Sequence, residues 1–372
     1  MLILLVCAVV VLGLSLLTVL PAPARVPWRL AVLAGEYGHW LACLPVALTL
    51  VAWWIGGVLP VPIMVLCLVA LGCCLQPLMQ ARRLAKALPE ALSTAFGPGR
   101  PPNPPFEIRR LFARHRVRPR IASFAYAPGL YLDFYAPQKA SRDAACVVVI
   151  HGGGWDGGDR GEVAHFNAWL ADSGHAVAAI DYRLAPAHPW PAQRDDARLA
   201  LAWLKAQAPR LGFAADRLIL FGRSAGGQIA SAVGCADKDP AIRGVISFYA
   251  PHDMPFAWSV SRPDDALNSL QLMRQYLGGP PNESRRALYQ SASGQLNVDA
   301  TTPPMLLMHG AIDTLVWRRH GERMAARLAE ASRPHVLIEL PWATHAFEYN
   351  LNGPGGQLAR FAVGWFIEAV TR

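Results

Sequence analysis

The 372-residue chain predicts an α/β domain, a mostly parallel sheet with helices on both faces, preceded by an N-terminal transmembrane helical region. Three observations predict this. From about residue 121, short apolar runs of strand length alternate with longer segments of helix length. Before residue 97, three charge-free runs of about 20 residues follow one another. Between the two parts lies GPGRPPNPP (97–105), a stretch of turn formers that marks a boundary.

Composition bounds the alternatives. Apolar residues make up 53% of the chain and charged residues 16%, which excludes a disordered chain or a coiled coil. Mean hydropathy is +0.24, which points to a membrane part. Residues 1–120 hold 12 of the 35 basic and 3 of the 26 acidic residues, so the whole formal excess of +9 lies there. The larger part is neutral and offers no basic groove for nucleic acid. Of seven Cys, Cys7, Cys43, Cys67, Cys73 and Cys74 lie in apolar runs. Cys146 and Cys235 lie outside them. No spacing suggests zinc or a disulfide framework, and a reduced compartment is compatible.

The N-terminal elements come first. Residues 2–20, 40–59 and 61–79 are each long enough for a helix to cross about 30 Å of hydrocarbon. Arg25 and Arg29 follow the first run, and Arg82, Arg83 and Lys86 follow the third. With three spans both basic flanks share a side, and the positive-inside rule puts that side, and everything after it, in the cytoplasm. An alternative is cleavage at Ala22-Pro23-Ala24, which would leave an exported domain. RRLFARHRVRPR (109–120) reads as a polybasic strip held against anionic membrane lipids. Residues 80–118 are expected to lie along the leaflet and border the pocket. The organisation is then 1–96 membrane region, 97–120 linker and strip, and 121–372 catalytic domain.

In the larger part, residues 121–137 read as an antiparallel hairpin turning at Pro128-Gly129. Strands follow at Cys146–Ile150, Ala176–Ile180, Leu218–Phe221, Val245–Tyr249, Met305–Met308 and Val336–Leu340. Residues 252–300 are long for a connection and read as a cap. Met254, Phe256, Trp258, Leu270, Leu272 and Met273 there are candidates to line an acyl pocket or simply to pack the cap.

Chemistry is expected at the carboxyl ends of the strands. Gly222-Arg223-Ser224-Ala225-Gly226-Gly227 places G-x-S-x-G between a strand and a helix, a turn that lifts the Ser224 oxygen clear of the backbone. His151-Gly152-Gly153-Gly154-Trp155 follows another strand. Its glycines suit N–H groups aimed at a developing oxyanion, with Gly152, Gly153 and Ala225 as donors. A nucleophilic serine needs a base, and the base an orienting acid. Asp313 and His345 follow the last two strands in that order, with Asp253 an alternative acid. His309 is expected to support the Asp313 loop, and His165, His252 and His320 to be surface or packing residues.

On these motifs, residues 145–348 resemble the hormone-sensitive-lipase-type carboxylesterases of the α/β-hydrolase superfamily. The matching stretches are HGGGW (151–155), DYRLAP (181–186), GRSAGG (222–227), HGAID (309–313) and ATHAF (343–347). The resemblance implies an α/β-hydrolase fold and hydrolysis of a small-molecule or lipid ester through an acyl-enzyme, with no metal or organic cofactor. It implies Ser224 as nucleophile, His345 as base, Asp313 as orienting acid, and Gly152, Gly153 and Ala225 as oxyanion donors. Two positions depart from the pattern: Arg223 stands where Asp is common, and Ala187 where Glu is common. The alternatives are an acyltransferase using the same triad and a non-catalytic binding domain.

Overall fold

A computed structural model describes residues 1–22, 24–56, 60–99, 103–113, 120–138 and 143–372. Position 23 of the Ala-Pro-Ala stretch, 57–59 of the second predicted span, 100–102 of the linker and 114–119 of the basic strip lie outside them.

Four helices open the chain: α1 (Leu2–Leu16), α2 (Arg25–Leu41), α3 (Cys43–Ile55) and α4 (Pro60–Phe96). The boundaries differ from those expected. Among the described residues of the expected span 40–59, only 43–55 form a separate helix, α3. Helix α2 runs to Leu41, and α3 leaves it at a bend of 51°. Tyr37 departs from helical geometry, with φ −121° and ψ 16°. A Cβ at Gly38 would lie 2.7 Å from the Cys74 carbonyl oxygen, so α2 is pressed against α4 at that point. Pro45 sits in the first turn of α3, where a missing N–H loses no helical bond. Helix α1 has 15 residues, or about 22 Å, short of the roughly 30 Å hydrocarbon core. Among the described residues, α4 is the one helix long and apolar enough to cross a membrane; α2 and α3 reach that length only together. Only 28% of the most apolar stretch of α4 is buried, and Leu68 is 70% and Trp54 84% exposed.

The C-terminal half of α4 has a different environment. Ala81, Leu88 and Leu92 join the apolar core of the large domain, and Phe96 meets Phe366 edge to face at 4.8 Å. One long helix therefore carries both an unburied apolar half and a core-packed half.

Among the described residues the sheet has eight strands in the order β1-β2-β4-β3-β5-β6-β7-β8. They are β1 (Ile121–Ala127), β2 (Leu130–Tyr135), β3 (Cys146–Ile150), β4 (Ala176–Ile180), β5 (Leu218–Arg223), β6 (Ile242–Phe248), β7 (Met305–Gly310) and β8 (His335–Leu340). The β1–β2 hairpin is antiparallel and turns at Pro128-Gly129; β3 to β8 are parallel. Every residue of β3, β4 and β5 is buried. That is why these strands read as continuous apolar runs rather than as alternation.

The covering helices are α5 (Ala164–Asp172), α6 (Ala192–Leu211), α7 (Ala225–Ala236), α8 (Met254–Val260), α9 (Ser269–Leu277), α10 (Arg286–Ala292), α11 (Arg319–Glu330) and α12 (Pro354–Val370). Helices α8 to α10 form the insertion between β6 and β7 that the long connection predicted.

Buried histidines set an acid limit on this fold. Burial pushes His252 down to about 3, and it lowers His309 and His320 in the same direction. These groups stay neutral in the folded chain, whereas unfolding lets them take up protons below about pH 6.5. The contribution of these three groups is therefore undiminished above that pH. Below it, stability falls by about 1.4 kcal/mol per pH unit for each such group, down to the folded value. Urea midpoints at pH 7.5 and pH 5.5 check this: the midpoint should drop at the lower pH, and an equal midpoint would contradict it.

Candidate active site

Parallel packing brings the carboxyl ends of β3, β5, β7 and β8 to one edge of the sheet. Ser224 ends β5 and stands at φ 52°, ψ −120°, in the left-handed half of backbone space that non-glycine residues avoid. Two features hold it there. Its N–H donates to the Phe248 carbonyl at 2.9 Å. Gly226 lies so close to β3 that a Cβ there would come within 2.1 Å of the Ile150 oxygen. Ser224 occupies the position before α7, yet its side chain makes no capping bond. The hydroxyl is not spent on the helix.

His345 lies in the loop after β8 and is buried. Its Nδ1 and the Asp313 Oδ2 lie 2.7 Å apart. The other Asp313 oxygen accepts from the Leu315 N–H at 2.8 Å and the Val316 N–H at 3.1 Å. His309 pairs with the Val316 carbonyl at 2.8 Å and stands 3.6 Å from Asp313, so it supports this loop as expected. Asp253 is committed elsewhere: it caps α8 through the Phe256 N–H and pairs with Arg323. His252 and His320 are buried packing residues, and His165 is exposed against the Tyr349 carbonyl.

The glycine loop differs from expectation at one donor. The Gly152 N–H, one of the expected donors, is already paired here: it donates to Glu162 Oε2 at 2.6 Å. The chain folds back at Gly153-Gly157, with φ 103° at Gly153 and the Gly157 N–H bonded to the Gly153 carbonyl. This turn carries Glu162 back onto the loop. Gly154, not Gly152, lines the cavity with Ser224 and Ala225. The loop is fixed from both sides. Tyr182, from the DYRLAP stretch, stacks on His151 at 4.1 Å, and its hydroxyl donates to the His151 and Gly152 carbonyls. Trp155 stacks on Tyr276 of α9 at 4.3 Å, and both donate to the Gln228 side chain of α7.

The cavity has a volume of about 650 Å³, and Ser224, Ala225, Gly154 and Asp313 line it. Of the six apolar cap candidates, Leu272 and Met273 reach its wall, joined by Ala257, Val260 and Leu267. Met254 is buried in the core instead, and Phe256 packs on His320. The N-terminal contribution is also not the expected one. Among the described residues none of 80–113 lines the cavity; Pro21, between α1 and α2, does.

Arg223 and Glu348 form a pair that sequence reasoning half saw. Both are buried, with Nε to Oε1 2.9 Å. The Arg223 guanidinium lies over the Phe221 ring at 4.4 Å. The Tyr249 hydroxyl donates to the same Glu348 oxygen, and its ring packs on His345 at 4.2 Å. The residue before the serine and the residue three beyond the histidine are thereby joined across 125 positions. Arg223→Met should destabilise the protein by about 3–5 kcal/mol, because it strands a buried carboxylate. The double change Arg223→Met, Glu348→Leu should recover much of that loss. Thermal or urea unfolding checks both, and a single variant as stable as the parent would contradict the reading.

Comparison with known proteins bears on the family and the fold. The BD-FAE family model matches residues 132–328, more than half of the chain. The chain is 28% identical over 277 residues to the probable carboxylic ester hydrolase LipM of Mycobacterium tuberculosis, covering 70% of this chain and 62% of that protein. It is 25% identical to esterase LipC of the same organism, covering 70% and 67%. Human hormone-sensitive lipase is 26% identical, over 54% of this chain and 20% of that one. The chain thus spans less than two thirds of LipM's length. Among solved structures, esterase LipW from Mycobacterium marinum superposes with a TM-score of 0.58 at 24% identity, over 81% of this chain and 90% of that one. A bacterial heroin esterase gives 0.59 at 22%, over 68% and 84%. At these identities the structural likeness speaks for the α/β-hydrolase fold.

Proposed function

The chain belongs to the BD-FAE family, among the hormone-sensitive-lipase-type carboxylesterases and lipases, and from that premise we propose that it is a membrane-anchored serine hydrolase of carboxylic esters. The observation that carries this is the His345–Asp313 pair at 2.7 Å, beside a cavity that holds a strained, uncapped Ser224. With Nδ1 held by Asp313, the other ring nitrogen of His345 takes the Ser224 proton as the oxygen attacks the ester carbonyl. The N–H groups of Gly153, Gly154 and Ala225 receive the oxyanion. The alcohol leaves with the proton from His345. Water then attacks the acyl-serine through the same base, releasing the acid and restoring the hydroxyl.

The anchor is the apolar N-terminal part. Exposed apolar residues cover α1, α3 and the first half of α4, more than a monomeric soluble surface tolerates. The Thr18 hydroxyl donates to the Cys73 carbonyl at 3.0 Å, so the end of α1 lies level with the middle of α4. The basic flanks at Arg25 and Arg29 and at Arg82, Arg83 and Lys86 then face one side, which we take as the cytoplasm.

Hydrolysis rates over p-nitrophenyl esters of graded chain length, with products analysed in the presence of an acceptor alcohol, test the activity. Free acid as the main product supports the hydrolase. A dominant transferred-acyl product would replace it with an acyltransferase, and no turnover on any ester would refute both.

A further inference from the structure

We infer that Pro21 and Ala22, between α1 and α2, form part of the active-site wall, and that esters reach Ser224 from the bilayer along the end of α1. This rests on Ser224 as the nucleophile and on α1 as a membrane-seated helix.

Four observations converge on Pro21, Ala22 and the first turn of α2 that follows them. Pro21 lines the cavity that holds Ser224 and Asp313. The hydroxyl of Thr314, the residue after Asp313, donates to the Ala22 carbonyl at 2.6 Å, which ties the loop to the acid's own turn. The Trp28 ring meets His345 edge to face at 6.5 Å. Its indole N–H is buried without an acceptor among the described residues. The N-terminal segment thus touches the surroundings of both the acid and the base, about 290 residues away in sequence.

Val19 and Leu20, earlier in the same connection and before Pro21, supply the route. Val19 is 40% and Leu20 53% exposed, and they continue the exposed apolar surface of α1 at Val6, Val9 and Val10. Across the cavity, Val260, Leu267, Leu272, Leu315 and Val316 present an apolar wall, and Trp317 stands partly exposed beside them. The cavity lining also carries Arg262, Asp264, Asp265, Arg318 and Arg319, so an alkyl chain following Val19 and Leu20 past Pro21 would lie against the apolar side chains and leave the charged ones to water. A water-soluble ester has no need of that path. The loop therefore separates two substrate classes: long-chain esters residing in the membrane, which use it, and short soluble esters, which do not.

The test uses the full-length enzyme in phosphatidylcholine vesicles, with p-nitrophenyl acetate in the water and p-nitrophenyl palmitate in the bilayer. Active sites are counted by a fluorophosphonate burst, so unfolded enzyme does not enter the rates. Leu20, outside the cavity and just beyond α1, is changed to Glu, and Val10→Glu, within α1, serves as the control. Leu20→Glu should lower palmitate cleavage by at least about tenfold, since a carboxylate on the path must shed its water. Acetate cleavage should stay within about twofold, and Val10→Glu should lower the palmitate rate far less. Equal palmitate rates for Leu20→Glu and parent would overturn the route. So would equal losses in both variants, which would reduce α1 to a tether. Failure of the parent enzyme to cleave acetate would instead refute the esterase reading.

Discussion

Ser224→Ala should lower ester turnover by roughly 10⁴- to 10⁶-fold and leave the fold intact. The size follows from the role. Without the hydroxyl no acyl-enzyme forms, and only the oxyanion donors and substrate binding still act on a direct attack by water. The fold should survive because the side chain forms no helix cap, and alanine meets the same backbone strain at φ 52° as serine does. Steady-state rates with a p-nitrophenyl ester, alongside circular dichroism, read both parts. A variant that keeps more than about one per cent of turnover would mean that another group attacks the carbonyl.

The second large effect is expected at Asp313→Asn, a loss of about 10⁴-fold in turnover with little change in KM. In the proposed mechanism the carboxylate does two jobs. It accepts from His345 Nδ1, which leaves the other ring nitrogen free as the base, and it balances the imidazolium that forms. An amide in its place can turn its NH₂ toward Nδ1 and hold the wrong tautomer. The Leu315 and Val316 N–H groups still find an acceptor in the amide oxygen, so the loop should keep its shape. Asp253→Asn provides the contrast. That carboxylate caps α8 and pairs with Arg323, so its loss should lower stability rather than turnover. If Asp253→Asn removed more activity than Asp313→Asn, the orienting acid would have to be reassigned.

Much of the site was legible because its chemistry sits on contiguous motifs at strand ends. Ser224 and Asp313 follow the fully buried strands β5 and β7, and His345 follows β8, a half-buried strand at the sheet edge whose apolar residues still read as a strand. Oxyanion donors were harder to place. A row of three glycines offers three N–H groups, and only the return of Glu162 onto the loop shows that the first is occupied. Arg223 stood out as a departure, but its partner Glu348 lies on another strand's loop, and no local pattern links them. Pro21, Trp28 and the kink at Tyr37 were invisible for a related reason. Hydropathy counts apolar residues along the chain and does not show which end of a helix meets a site nearly 300 residues later. The same blindness put a boundary inside α4, whose apolar half and core-packed half differ in neighbours more than in helical character.

The most direct measurement is the site of covalent modification of the native chain by a fluorophosphonate, located by peptide mass spectrometry and followed against loss of ester hydrolysis. The account predicts one adduct per chain, on Ser224, forming at the rate at which activity disappears, and none on a chain carrying His345→Ala. An adduct on a different residue, or full loss of activity with Ser224 unmodified, would contradict it.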